Sequence, residues 1–397
     1  MFKKLQKGIK FITALPHYYF LLFLFKYFFR EKERIIGLAG HFRGNLKYLY
    51  QELRKYRGVT VYFVTGDEKE AKDLKSKGIN IYYYLDVKNL PLFVKTRVWI
   101  TSTGPAHIPF LGIIRRLFPF YKLKHRTKWV DVWHGLAFKD VGRGKMLVNY
   151  NYDLAFVTSN FFKKHYAENS DILKKIKITG YPRTDPLIKK SFNREKIIRK
   201  IGIPSNRKNI LYAPTWGYKR KFFFPWEKIE RFIEDVEFFC EKNNCNFLIR
   251  MHPNWYKLNI GLRNKLNRVL DGKKYIFHLS PNIYKDAEVI LYISDVLITD
   301  WSSIANDFIL LHKPIIFLDI PSPVEKFVLT PEDRVGYIVK NKFEFFKRLQ
   351  EAIKGSDIFA EQRKKLIKKL YEHLDGNSSK RCAIEVIKLL DNDGTNG

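Results

Sequence analysis

Two histidines each follow a short apolar run, one in either half of the chain. His134 sits in Trp133-His134-Gly135 after the run beginning at Val130, and His252 sits in Arg250-Met251-His252-Pro253 after the run beginning at Phe247. An imidazole at a strand end can take a proton as a general base or donate to a phosphate oxygen, according to its protonation. Capping its own loop is the alternative for either residue. A third constellation lies between Asp295 and Asp319, where Val296-Leu297-Ile298 runs into Thr299-Asp300, then Ser302 and Ser303, then Ile304, Phe308 and Leu311 at helical spacing. Two hydroxyls at the start of a helix, beside its free backbone N–H groups, make a ready phosphate site. The same serines could merely cap a structural helix. Glycine-bearing loops at other strand ends, Gly40–Asn45, Thr101–Gly104 and Gly180–Asp185, allow the backbone to approach a ligand closely. No GxxxxGK[ST] loop, HExxH helix or GxSxG elbow is present.

These residues need a frame. Pro314 closes the helix after Ser303, and Ile315–Leu318 supplies the next apolar run, giving strand, turn, helix and strand in about twenty-five residues, the grammar of a parallel sheet. The same alternation begins at Ile35–Ala39. It continues through runs at Val59–Val64, Ile79–Leu85, Val98–Thr101, Val130–Trp133, Leu154–Thr158 and Ile176–Thr179. A second series starts at Ile210 and passes Phe247–Arg250, Tyr275–His278, Val296–Ile298, Ile315–Leu318 and Gly336–Val339. The charged stretch Lys189–Lys208, with Pro204-Ser205-Asn206 near its end, reads as the interdomain connection. The fold class expected is α/β, with two Rossmann-like domains and a cleft between them, ligands sitting outside the strand C-termini. The boundaries expected are 33–190 and 205–375, with a helix and polar tail over 376–397.

The chain has 397 residues, enough for two cores. Its 73 Lys+Arg against 40 Asp+Glu leave a net charge of +33, a field that attracts nucleic acid, anionic lipid or phosphorylated substrates. Biased Lys/Ile usage is the bland source of part of that charge. No RRM, KH, helix-turn-helix or zinc-finger signature accompanies it, so no nucleic-acid partner is expected. Three cysteines without metal-type spacing fit a reducing compartment and no metal site. Asp391 and Asp393 have DxD spacing but lie in a polar tail. Residues 1–32 mix Lys3, Lys4, Lys7 and Lys10 with Phe, Tyr and Leu. The uncharged run from Tyr18 to Phe25 is too short to span a bilayer, and no small-residue cleavage site follows. A basic, aromatic segment of this kind suits an anionic membrane surface. A helix packed on the protein itself, or a dimer contact, is the alternative.

In order along the chain, WHGLAFK (133–139), GYPRTD (180–185), LYAPTW (211–216), RMHP (250–253) and DVLITDWSS (295–303) resemble the CDP-glycerol glycerophosphotransferase family of teichoic-acid synthesis. LDGNSSKR (374–381) is similar to that family's closing motif, and GNLKYLY (44–50) to its acceptor-side loop. The resemblance implies a GT-B-like fold with the donor in the second domain. It implies a peripheral enzyme at the cytoplasmic face of the cell membrane, using no cofactor and no metal. That enzyme transfers glycerol phosphate from CDP-glycerol to an undecaprenyl-diphosphate-linked acceptor or a growing poly(glycerol phosphate). His134 falls on the family's base, His252 on its donor-phosphate histidine, and Thr299, Ser302 and Ser303 on its diphosphate segment. Arg250 is a further phosphate candidate; Gly44, Asn45, Arg183 and Asp185 are acceptor-side candidates. Asp131 stands where the family pattern has Gln, Trp301 where it has Tyr, and Thr184 where it has Asn. The stretch after Asp319 departs from the family pattern near the donor polyol, so CDP-ribitol or a nucleotide sugar is the alternative donor. With no long extension ahead of it, the chain is expected to make a short product. It could also pair with its own copies as a homo-oligomer.

Overall fold

Thirteen strands in two all-parallel sheets carry the described part of the chain, which in this computed structural model is residues 33–104, 127–215, 223–281, 283–322 and 324–391, with Pro16, His17 and Phe20. The first sheet has strands β1 (Ile35–Ala39), β2 (Thr60–Thr65), β3 (Ile81–Tyr83), β4 (Val98–Thr101), β5 (Lys128–Asp131), β6 (Leu154–Val157) and β7 (Ile176–Ile178), in the order β3-β2-β1-β4-β5-β6-β7. The second has β8 (Lys208–Tyr212), β9 (Cys245–Ile249), β10 (Ile276–His278), β11 (Val296–Thr299), β12 (Ile315–Leu318) and β13 (Tyr337–Val339), in the order β10-β9-β8-β11-β12-β13. Both orders reverse direction once, between β1 and β4 and between β8 and β11. Those reversals are the topological switch points of Rossmann-like sheets, where ligands bind outside the strand C-termini. The strands read as unbroken apolar runs because helices cover both faces: every residue of β1, β9, β11 and β12 is buried.

The helices that matter for the site are α1 (Gly44–Leu53), α2 (Arg143–Asn149), α3 (Ile229–Lys242), α4 (Pro253–Leu258), α5 (Ile304–Phe308) and α6 (Ser378–Asp391). In α3, Ile229, Phe232, Ile233, Val236 and Cys240 recur at helical spacing and are all buried in the core of the second sheet. In α6, Cys382, Ala383, Val386 and Leu390 do the same in the core with Ile36, Leu38 and Val130 of the first sheet.

That packing corrects the expected domain limits. The first compact unit comprises Met1–His134, Gly142–Asp185 and Glu372–Gly397; the second comprises Gly135–Val141 and Pro186–Tyr371. The C-terminal helix is thus part of the first unit, because its apolar face completes that unit's core. Lys189–Lys208 is not a bare connection either, since Arg194–Ile201 is a helix in the second unit. Asn193 accepts a bond from the Lys196 N–H at its start, and Gly202 ends it at φ +79. The run expected from Ser303 to Pro314 is shorter too. α5 has five residues, a 3-10 turn Ile309–Leu311 follows, and His312 at φ +54 ends it.

The basic, aromatic segment expected over residues 1–32 lies outside the described residues apart from the three named above, as do Trp216 and Asp393. Among the described residues no helix is long and apolar enough to cross a membrane, and no cluster of three His, Cys, Asp or Glu could hold a metal ion. All three cysteines are buried free thiols.

Candidate functional site

In the first unit the site is built on the loop after β5. The chain leaves Asp131 and passes through Trp133 in a left-handed conformation, φ +50, then His134, then Gly135 at φ +154, an angle that favours glycine. Trp133 is the strained residue here, since a bulky side chain at positive φ is rare. Asn45, in the first turn of α1, holds the loop from one side. Its amide donates to the carbonyls of Val132 (3.3 Å) and Trp133 (2.9 Å), while its oxygen accepts the Arg183 N–H at 3.1 Å. The Arg183 guanidinium donates to the His134 carbonyl. Gly44, φ +54, lies beside the Arg183 side chain.

The His134 ring is set by Ser102 at the end of β4: Nδ1 is 3.1 Å from the Ser102 carbonyl. A carbonyl can only accept, so Nδ1 carries the proton and Nε2 is left with its lone pair, the form a general base needs. The ring is solvent-accessible but closely crowded. Loss of hydration lowers its pKa below the usual imidazole value, and the Arg183 and Arg143 charges push the same way; the Ser102 bond and Asp131 oppose them. That balance favours the neutral ring.

Gly44, Asn45, Arg183 and His134 are thus brought together by the structure, with Asn45 and Arg183 gripping loop backbone. Asp185, two residues beyond Arg183, spends its carboxylate on another element. Its carboxylate accepts the N–H groups of Ser378 (2.8 Å) and Ser379 (2.7 Å), capping α6.

In the second unit Thr299, Ser302 and Ser303 lie at the end of β11, on the β8/β11 switch point, and Arg250 and His252 follow β9. Asp300, fully buried, accepts the N–H groups of Thr215 (2.8 Å) and Trp301 (2.6 Å), tying the two strand ends together. Thr299 is also fully buried and spends its hydroxyl proton on the Ala213 carbonyl at 2.8 Å. That leaves Ser302 and Ser303, both half-buried, as the hydroxyls of the turn; Ser303 makes no capping bond of its own. His252 precedes Pro253 of α4, and its Nδ1 accepts the Asn254 N–H at 3.1 Å. The neutral ring consequently carries its proton on Nε2, the tautomer opposite to His134 and a hydrogen-bond donor. The Arg250 guanidinium donates to the carbonyls of Tyr284 (2.6 Å) and Lys285 (3.3 Å), fixing the loop after β10.

Two cations near the turn were not singled out in the sequence. Arg334 stacks 4.0 Å over the Trp301 ring, 4.0 Å from an Asp319 oxygen, and its buried Nη1 has no partner among the described residues. Lys139 lies in the excursion Gly135–Val141, which pairs with Phe327 and sets Phe138 edge-on to Trp301. Burial lowers the Lys139 pKa, and the Asp300 charge counters that fall. Lys139 sits within the quoted WHGLAFK stretch. Arg334 lies in the stretch that departs from the family pattern, and only the tertiary fold brings it to Trp301.

Two all-parallel, Rossmann-like sheets, each with candidate residues just beyond its strand C-termini, define the α/β, GT-B-like class. The comparisons give the family. The pattern described as CDP-Glycerol:Poly(glycerophosphate) glycerophosphotransferase matches residues 30–388, so the chain belongs to that family. The chain is 28% identical over 373 residues to the teichoic acid ribitol-phosphate polymerase TarL of Staphylococcus aureus, covering 85% of this chain and 59% of that protein. It is 27% identical over 300 residues to a teichoic acid poly(glycerol phosphate) polymerase of Bacillus spizizenii, covering 69% of each. In fold it is similar to the wall teichoic acid polymerase TagF, with a TM-score of 0.71 and 18% identity over 100% of this chain and 98% of that one. The chain thus spans less than two thirds of the length of TarL.

Proposed function

We propose that the chain transfers glycerol phosphate from CDP-glycerol to a hydroxyl of an undecaprenyl-diphosphate-linked glycan or a growing poly(glycerol phosphate), releasing CMP. The observation that carries this reading is the pair of opposite histidine tautomers. Nε2 of His134 holds a lone pair, and Nε2 of His252 holds a proton. In this reading His134 takes the proton of the acceptor hydroxyl, whose oxygen attacks the β-phosphorus of the donor. The bond from that phosphorus to the bridging oxygen breaks, and CMP leaves with the electron pair. Phosphoryl transfer needs alignment and charge neutralisation more than covalent chemistry. His252, Ser302 and Ser303 supply donors to the diphosphate oxygens.

A ribitol-phosphate donor is the second reading, favoured by the similarity to TarL. The reading places the protein as a peripheral enzyme at the cytoplasmic face of the membrane, drawn there by its net charge of +33. The test is CMP release from CDP-glycerol, CDP-ribitol and UDP-sugars in the presence of a lipid-linked disaccharide, with the product weighed. Release from CDP-glycerol alone, with a mass gain of one or more glycerol phosphates, is expected. Preferred release from CDP-ribitol would transfer the proposal to the second reading, and UDP-sugar turnover would overturn both.

A further inference from the structure

Beneath the His134 loop lies an ion pair that the reaction itself does not use. Asp131 and Arg143 are both at most 1% exposed. One Asp131 oxygen, Oδ2, accepts Arg143 Nε at 2.9 Å and Nη2 at 2.6 Å; the other, Oδ1, accepts the Trp133 N–H at 3.2 Å. The rest of the Arg143 fork is also engaged, Nη1 with the Tyr181 hydroxyl at 3.0 Å and Nη2 with the Phe156 carbonyl at 2.7 Å. Its guanidinium carbon lies over the Trp133 ring, 5.1 Å from the centroid, and over the Tyr166 ring, 4.9 Å from that centroid. The pair therefore grips Trp133 at both ends, its backbone N–H and its indole face.

Burying two charges is poor value as plain stabilisation, since a well-packed apolar pair of the same volume often does as well. What an apolar pair lacks is direction. Trp133 is held at φ +50, a conformation that an aromatic residue keeps only when its surroundings impose it. The next residue is His134, whose ring centroid lies 4.4 Å from that of Trp133. If Trp133 relaxed to a negative φ, the His134 ring would swing away from the Ser102 carbonyl that fixes its tautomer.

We infer that the buried Asp131–Arg143 pair is a positioning device for His134, holding Trp133 in its left-handed conformation so that Nε2 is presented to the acceptor hydroxyl. The inference rests on His134 acting as the base. It makes Asp131 and Arg143 positioning residues, and Arg143 needs its flat, forked guanidinium rather than its charge alone.

A single change that strands one buried charge endangers the fold, so the test uses Asp131→Asn combined with Arg143→Met, and separately Arg143→Lys, which keeps the charge and loses the plane and the fork. CMP release from CDP-glycerol is measured across pH for both variants, for His134→Ala and for the native chain, with near-ultraviolet circular dichroism reporting packing. Both variants are expected to fold. Their kcat should drop on the order of 100-fold, as for a misplaced catalytic group, with KM for CDP-glycerol unchanged. The charged groups around His134 are Arg183, Arg143 and Asp131. The double variant removes two opposite ones together, so the pH profile should keep its shape while its plateau falls. Native kcat in the folded double variant would overturn the inference, as would a displaced acid limb with an intact plateau. If His134→Ala is inactive while the double variant is fully active, the positioning role alone fails. Native turnover by His134→Ala would remove the base reading beneath it.

Discussion

His134 and His252 have the same side chain and opposite assignments, and one hydrogen bond decides each. The Ser102 carbonyl fixes a proton on Nδ1 of His134, whereas the Asn254 N–H fixes a lone pair on Nδ1 of His252. A pH dependence follows for the first. Its folded-state pKa is lowered, so the neutral base persists as pH falls past about 6.5, the ordinary imidazole value, and is lost only below it. The acid limb of kcat against pH should accordingly lie below that value; a limb at or above it would contradict the crowded, Arg-flanked environment. Ser302→Ala with Ser303→Ala removes two neutral donors, and the loss expected is about 1–2 kcal/mol of donor binding, roughly 5–30-fold in Kd for CDP-glycerol by calorimetry. Unchanged affinity would show the turn to be structural. The strand-end positions of both histidines were legible because each follows an apolar run. Arg143 was not, because its partners at positions 131, 156, 166 and 181 are joined only by the fold.

At the scale of elements, the strands were legible because parallel sheets bury both faces and leave unbroken apolar runs, as at Ile35–Ala39 and Ile315–Leu318. The helix Arg194–Ile201 was hidden by its charged face, since Ile198 alone is buried in it, although Asn193 and Gly202 are ordinary start and stop signals. The placing of α6 in the first unit could not be read locally, as its apolar stripe does not say which core it joins. Two variants test that placement. Asp185→Ala removes the cap of α6 and should lower stability by about 1–2 kcal/mol in urea unfolding, with KM for the acceptor unaltered. A raised KM at native stability would return Asp185 to the acceptor side. Gly180→Ala should destabilise by more than about 1 kcal/mol, because φ is +80 there and a Cβ would fall 2.2 Å from Ser378 Oγ.

At the scale of the whole molecule, a net charge of +33 attracts molecules rich in phosphate. In the proposed function that charge meets an anionic membrane and a phosphorylated donor. Sedimentation with anionic vesicles should therefore weaken steeply with salt, and the vesicles should outcompete RNA. The most direct test of the central claim is CMP release from CDP-glycerol by the native chain and by His134→Ala, with CDP-glycerol affinity measured on the same samples. Release should be abolished in the variant while donor affinity stays near native. Native turnover by His134→Ala would contradict that claim.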